Sequence, residues 1–102
     1  MFDRDKRYIT KRVQEELPIE VILFLYNEID ELIDSNKEID YLQVFNISVI
    51  DKNSGLLEIK HSQEIPVYKK TIFINNKEIK SDTKIFVIEE QFNSIMMIAS
   101  EY

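Results

Sequence analysis

Residues 18–35 read PIEVILFLYNEIDELIDS, and the periodicity of this stretch decides the fold. Its apolar side chains recur at three- and four-residue intervals, the spacing of one face of an α-helix. Pro18 suits a first helical turn, where its missing N–H is not needed, and Glu20 meets the positive pole of the helix dipole. The sequence therefore predicts a helix from Pro18 to Ser35, with an apolar stripe made by Ile19, Ile22, Leu25, Tyr26, Ile29, Leu32 and Ile33.

The segments on both sides of this helix change to a period of two, which is typical of strands. The link between the second and third of these strands contains Asn53 and Gly55, which suit positive-φ positions, so an antiparallel hairpin is predicted there. Pro66 lacks a backbone donor and marks a break or an edge. The predicted strands are Arg7–Val13, 41–50, Leu56–Ile65, Val67–Ile74, Lys84–Ile88 and Ser94–Ala99.

The predicted order of elements is β-α-β-β-β-β-β. Because the strands follow one another after a single helix, the simplest packing is a mostly antiparallel sheet with that helix on one face. We therefore predict an α+β fold and a single domain over residues 1–102. The outer face of such a sheet must be solvated or covered by another chain.

The composition is that of a globular protein. Apolar residues make up 44% of the chain and charged residues 31%, which lies outside the range of disordered sequences. No apolar run reaches the length of a membrane span, and the first residues lack the apolar core of a secretory signal. The chain has no cysteine, so it contains neither disulfides nor thiolate metal sites. We expect a cytoplasmic protein that does not bind membranes.

The net charge of −6 is concentrated in the middle of the chain. Residues 13–50 carry nine acidic groups against Lys37 alone. This balance disfavours direct binding to a phosphate backbone, because the electrostatic attraction that drives such binding has the wrong sign. Solubility is the simplest use of such acidity.

Several stretches resemble one family of small proteins. They are RYIT at 7–10, ELP at 16–18, DYLQVF at 40–45, HSQEIPVY at 61–68 and KIFVI at 84–88. Together they are similar to the family known as domain of unknown function 960, found in low-GC Gram-positive bacteria and their phages. The resemblance covers nearly the whole chain. It implies a bacterial or phage cytoplasmic protein without an assigned activity, and it carries over no catalytic residues.

His61 is the only histidine and the first candidate for chemistry. With Glu64 or Tyr68 as a partner, it would serve as a general acid or base in a small hydrolase or nuclease-like enzyme. Strand alternation places Glu64 on the face opposite His61, which opposes that pairing. The alternative is a hydrogen-bonded histidine inside the sheet.

Other kinds of site leave no trace in the sequence. One histidine, no cysteine and scattered carboxylates provide no spacing for a metal, and Asp30, Glu31 and Asp34 are expected to be a solvated acidic surface. Gly55 is the only glycine, which excludes a glycine-rich phosphate loop. We expect no cofactor and no metal.

Phe24 is the most unusual residue of the predicted helix. Taking Ile22 as the centre of the apolar stripe, a turn of about 100° per residue places Phe24 at about 200°, opposite the core. Its neighbours there are acidic or polar, so it has the form of an anchor for a partner protein. The alternative is that Phe24 packs under the N-terminal arm or the C-terminal tail of its own chain.

The preferred hypothesis is a non-enzymatic interaction or accessory module that binds another protein, with a basic surface favoured by charge complementarity. Its predicted contact residues are Glu20, Phe24, Glu28 and Glu31. Two alternatives remain open. One is a homodimer formed through an uncovered sheet face or edge. The other is a small enzyme that uses His61.

Overall fold

The computed structural model describes residues 1–102. Two helices and six strands account for most of the chain. The helices are α1 (Lys11–Glu16) and α2 (Ile19–Asp34), and short 3-10 turns lie at Arg4–Lys6 and Ala99–Glu101. The strands are β1 (Arg7–Ile9), β2 (Leu42–Asp51), β3 (Leu56–Gln63), β4 (Tyr68–Asn75), β5 (Thr83–Glu89) and β6 (Ser94–Ile98).

The six strands form one sheet in the order β1-β6-β5-β2-β3-β4. All neighbouring pairs are antiparallel except β1, which runs parallel to β6. The predicted hairpin between β2 and β3 is present, and its turn depends on Gly55, which has a φ of +75°. A Cβ atom there would lie 2.7 Å from the backbone nitrogen of Lys77, so only glycine fits. The predicted α+β architecture is confirmed.

Helix α2 begins and ends where the periodicity predicts, but its buried face is rotated. Val21 and Glu28 are buried, whereas Ile19 is 58% exposed. At about 100° per residue, the centre of the buried face lies about 40° from the predicted stripe, toward Val21 and Glu28. This rotation changes which side chains the helix presents to solvent.

The first strand is shorter than predicted. It ends at Ile9, and residues 11–16 form α1 instead of continuing the strand to Val13. Thr10 causes the change, because its side chain accepts a hydrogen bond of 3.2 Å from the backbone N–H of Val13 and so caps a helix. Val13 is still buried in the core, but it projects from a helix rather than from a strand.

The two faces of the sheet differ in what covers them. The inner face packs against α2, and seventeen buried apolar residues from both layers form one core. The sheet contributes Phe45, Ile47, Leu57, Ile59, Ile85, Val87, Met96 and Ile98 to it. The alternate residues of the same strands form the outer face, on which neither helix packs. No helix of the protein is long and apolar enough to cross a membrane.

Candidate interaction surface

His61 lies in the interior, on the inner face of β3. Its side chain has no solvent exposure, its ring stacks on Phe45 at a centroid distance of 4.3 Å, and the ring of Tyr68 meets its edge at 5.3 Å. Burial, with a smaller contribution from the charge of Lys70, lowers the pKa of His61 to about 4. The imidazole is therefore neutral near pH 7 and inaccessible to a substrate.

The other two catalytic candidates do not complete a site with it. Glu64 is exposed in the turn that follows β3, whereas His61 is fully buried. Tyr68 contacts His61, but it is half-buried and burial raises the pKa of its hydroxyl. No group of three or more His, Asp or Glu side chains is close enough to hold a metal. The geometry does not form an accessible catalytic pair.

The predicted contact surface on α2 is only partly available. Phe24 is half-buried and packs against the core, so the prediction that it faces away from the core is wrong. The buried face of the helix is rotated by about 40° toward Phe24, which brings this side chain closer to the core than predicted. Phe24 therefore lies at the margin of the core rather than alone among carboxylates.

Glu28 is also not free to contact a partner. It is buried, and the Lys70 Nζ atom on β4 lies 2.9 Å from its carboxylate and 3.2 Å from that of Glu31. The hydrogen bond to Glu28, helped by Glu31, raises the pKa of Lys70. Of the four predicted contact residues, Phe24 and Glu28 thus hold the helix against the sheet, and Glu31 contacts the same lysine, Lys70. Glu20 remains exposed, and its role in binding stays a prediction.

A buried polar network surrounds His61, and the sequence did not reveal it. The Nε2 atom of His61 lies 2.7 Å from the side-chain oxygen of Gln43. The amide nitrogen of Gln43 donates to the side-chain oxygen of Gln63 at 2.8 Å and to the carbonyl of Asp40 at 3.0 Å. Because Gln43 donates twice through its nitrogen, its oxygen accepts, and the His61 Nε2–H is the donor.

Gln63 connects this network to the chain that leaves the sheet. Its amide nitrogen donates to the carbonyls of Glu38 and Pro66, at 3.0 and 2.9 Å, and its oxygen accepts from the N–H of Asp40 at 2.9 Å. One buried side chain thereby fastens the connection before β2 to the turn between β3 and β4. The network acts as a scaffold for these two loops.

Three connections meet at this end of the sheet, and we call them together the loop end: residues 36–41, 64–67 and 90–93. The carboxylate of Asp40 accepts from the backbone N–H of Ile65 at 3.1 Å, which joins the first connection to the second. The N–H of Glu89 donates to the carbonyl of Tyr41 at 2.8 Å, which joins the first to the strand before the third. The loop end is therefore one continuous surface.

The loop end exposes large apolar side chains within an acidic border. Ile65 is 78% exposed, Val67 76% and Phe92 71%, and Tyr41 is also exposed. The same three connections carry four carboxylates, those of Glu38, Asp40, Glu64 and Glu90, against Lys37 alone. Exposed apolar groups held on ordered loops are a common form of protein contact surface.

Sequence reasoning missed this surface, although a signal was present. The turn between β3 and β4 contains Ile65, Pro66 and Val67, and Phe92 stands in a turn among polar residues. A turn that lies on the surface normally has polar side chains, so apolar ones there point to a contact. That both turns lie at the same end of the sheet, on either side of the connection before β2, could not be deduced without the strand order.

Comparison with known proteins finds one family and one solved structure, both of unknown function. The model of the DUF960 family, described as a staphylococcal protein of unknown function, matches residues 6–101. A crystal structure of a protein of unknown function from Enterococcus faecalis has a TM-score of 0.77 and 22% sequence identity, and the match covers 100% of this chain and 98% of that one. At this identity the likeness concerns the fold. No curated protein matches the chain.

Proposed function

The chain belongs to the DUF960 family, and on that premise we propose that it is a non-enzymatic module that binds another protein through its loop end. The observation that carries the proposal is that Ile65, Val67, Tyr41 and Phe92 are all exposed on connections at the same end of the sheet. A cytoplasmic location is part of the proposal, and the lack of cysteine agrees with a reducing compartment.

The ordering of the loop end supports binding. Gln63 and Asp40 hold the turn that carries Ile65 and Val67 through three hydrogen bonds to its backbone, one from the Gln63 amide to the Pro66 carbonyl and two to the Asp40 carboxylate. A surface that is ordered before binding loses less conformational entropy when the partner arrives. The buried network thus has a use that requires no chemistry at His61.

The chemistry of the loop end defines the partner. An apolar centre bordered by carboxylates fits a protein surface with an apolar depression and basic residues around it. The border contributes speed and selectivity of encounter, and the apolar side chains contribute most of the affinity. This partner keeps the basic character expected from the sequence but uses a different surface from the α2 helix.

The proposal is tested by comparing variants of the tagged protein expressed in its own host. We expect the double variant Ile65→Glu/Val67→Glu to fold, because both side chains are exposed, and to lose proteins that the wild type retains. Affinity for the recovered partner, measured with purified components, should fall at least about a hundredfold, since two apolar anchors are lost.

Leu23→Glu is the matched control, because Leu23 is an exposed apolar residue on α2 near the predicted helix surface. It should bind the partner like the wild type. The opposite result, in which Leu23→Glu loses the partner and the loop-end variant keeps it, would overturn the proposal and return the contact to α2.

A further inference from the structure

The outer face of the sheet carries an apolar band that no helix of the chain covers. Strand pairing aligns its members in two adjacent rows. The first row crosses four strands and consists of Tyr8, Ile95, Ile88 and Leu42. The second row crosses three strands and consists of Met97, Phe86 and Val44. The ring of Tyr102 meets the ring of Phe86 edge to face at 5.7 Å.

Charges of opposite sign border the two sides of this band. Beyond the second row, pairing places Lys84 beside Asn46 and Asn46 beside Lys60; Lys60 lies 3.7 Å from the Glu58 carboxylate, whereas Lys84 makes no ion pair and gives that side its positive charge. Beyond the first row, continuing the alternation of β5 by one residue past its end places the exposed Glu90 after Ile88, so that side is acidic. The outer face therefore runs from acidic through apolar to basic along the strands.

We propose that this face binds a second copy of the chain in a symmetric dimer. A twofold axis in the plane of contact, perpendicular to the strands and between the two apolar rows, places each row on the other row of the partner. The same rotation brings Glu90 over the partner's Lys84, and Lys84 over the partner's Glu90. Apolar rows therefore face apolar rows, and opposite charges face each other, so the face is complementary to itself as an isologous contact requires.

The two charges cannot pair within one chain. Lys84 and Glu90 are six residues apart at the two ends of β5, a separation of about 20 Å in an extended strand. Each is therefore available to a partner. The two apolar rows and the charges that border them extend about 20 Å along the strands and about 14 Å across them, which is small for an interface, so we expect a weak dimer.

This contact does not depend on the loop-end proposal, and it adds to it. Because the twofold axis reverses the strand direction, the two loop ends lie at opposite ends of the dimer. Such a dimer presents two binding surfaces to partners, which raises the apparent affinity for a partner that displays its site repeatedly.

Sedimentation velocity of the full chain, from about 1 µM to about 200 µM, tests the dimer. We expect a concentration-dependent dimer in the wild type. Lys84→Glu or Glu90→Lys alone should weaken it at least about tenfold, because each change replaces two attractions with two repulsions. The double variant Lys84→Glu/Glu90→Lys should restore it, since the charges are exchanged and the net charge is unchanged.

Lys11→Glu serves as the control for net charge, because Lys11 is an exposed lysine on α1 and should leave the dimer unchanged. Met97→Glu, in the apolar band, should abolish the dimer. A wild type that stays monomeric at the highest concentration overturns the proposal. So does a dimer that survives Lys84→Glu and Met97→Glu, or one that the charge exchange fails to restore.

Discussion

The inner and outer faces of the sheet are made by the same strands, yet they differ in how each is completed. On the inner face, α2 covers the apolar side chains, and polar pairs lie among or beside them: His61 Nε2 with Gln43, and Lys70 with Glu28. On the outer face, the apolar side chains form a band of two rows with charges only at its borders.

This difference shows what each face contributes. The inner face is a core in which removal of one group leaves a cavity or an unpaired polar atom, so it determines stability. The outer face has a core-like centre without a covering layer, and its free energy is gained only when another molecule covers it. The predictions below test that division from the largest effect to the smallest.

Truncation of one phenylalanine on each face gives the largest contrast. Phe45→Ala on the inner face removes a fully buried ring that stacks on His61, and we expect a loss of about 4 kcal/mol in the free energy of unfolding. Phe86→Ala on the outer face, where the ring is half-buried, should cost about 1 kcal/mol. Urea unfolding at about 1 µM, where we expect monomers, measures both. Equal losses would contradict the division between the faces.

The neutral state of His61 makes the inner face sensitive to acid. The unfolded chain binds a proton at His61 below its ordinary pKa of 6.5, whereas the folded chain does so only near 4. The stabilisation from the depressed pKa is therefore complete above 6.5 and is lost as the pH falls toward 4. Between pH 7 and pH 5 we expect a loss of about 2 kcal/mol from this residue.

His61→Gln isolates the contribution of the histidine, because glutamine also donates to Gln43 but does not titrate. Urea unfolding of both proteins at pH 7 and pH 5 should show that the free energy of unfolding depends less on pH in the variant. The carboxylates are the same in both proteins, so their contribution cancels in the comparison. If the two proteins lose the same free energy over this range, the buried imidazole does not control the acid sensitivity.

Lysines on the two faces provide the smallest test. Lys70→Met leaves the buried carboxylate of Glu28 without its cation, but Lys70 is itself 40% exposed, so we expect a loss of about 1 kcal/mol. Lys84→Met, on the border of the outer band, should change the free energy of unfolding by less than about 0.5 kcal/mol. Thermal or urea unfolding of the two variants measures both losses. A larger loss in the free energy of unfolding for Lys84→Met than for Lys70→Met would refute the expected difference between the faces.

The features that could be predicted from the sequence are those set by interactions between residues close together in the chain. The periodicity of residues 18–35 and the alternation around Gly55 are local patterns, and both the helix and the hairpin are present. The strand after residue 9 was predicted wrongly, because a cap at Thr10 competes with alternation over so short a segment. Phe24 was misplaced because the rotation of a helix depends on the surface beneath it.

The sequence by itself determined the class of the fold and the limits of its main helix, since these follow from which residues avoid water at a regular spacing. Only the tertiary structure decided which loops adjoin and which charges border the outer band. Strand order places residues 41, 65 and 92 at the same end of the sheet despite their long separations in the chain, and no local pattern encodes that placement. The surfaces proposed for binding therefore exist only in the folded chain.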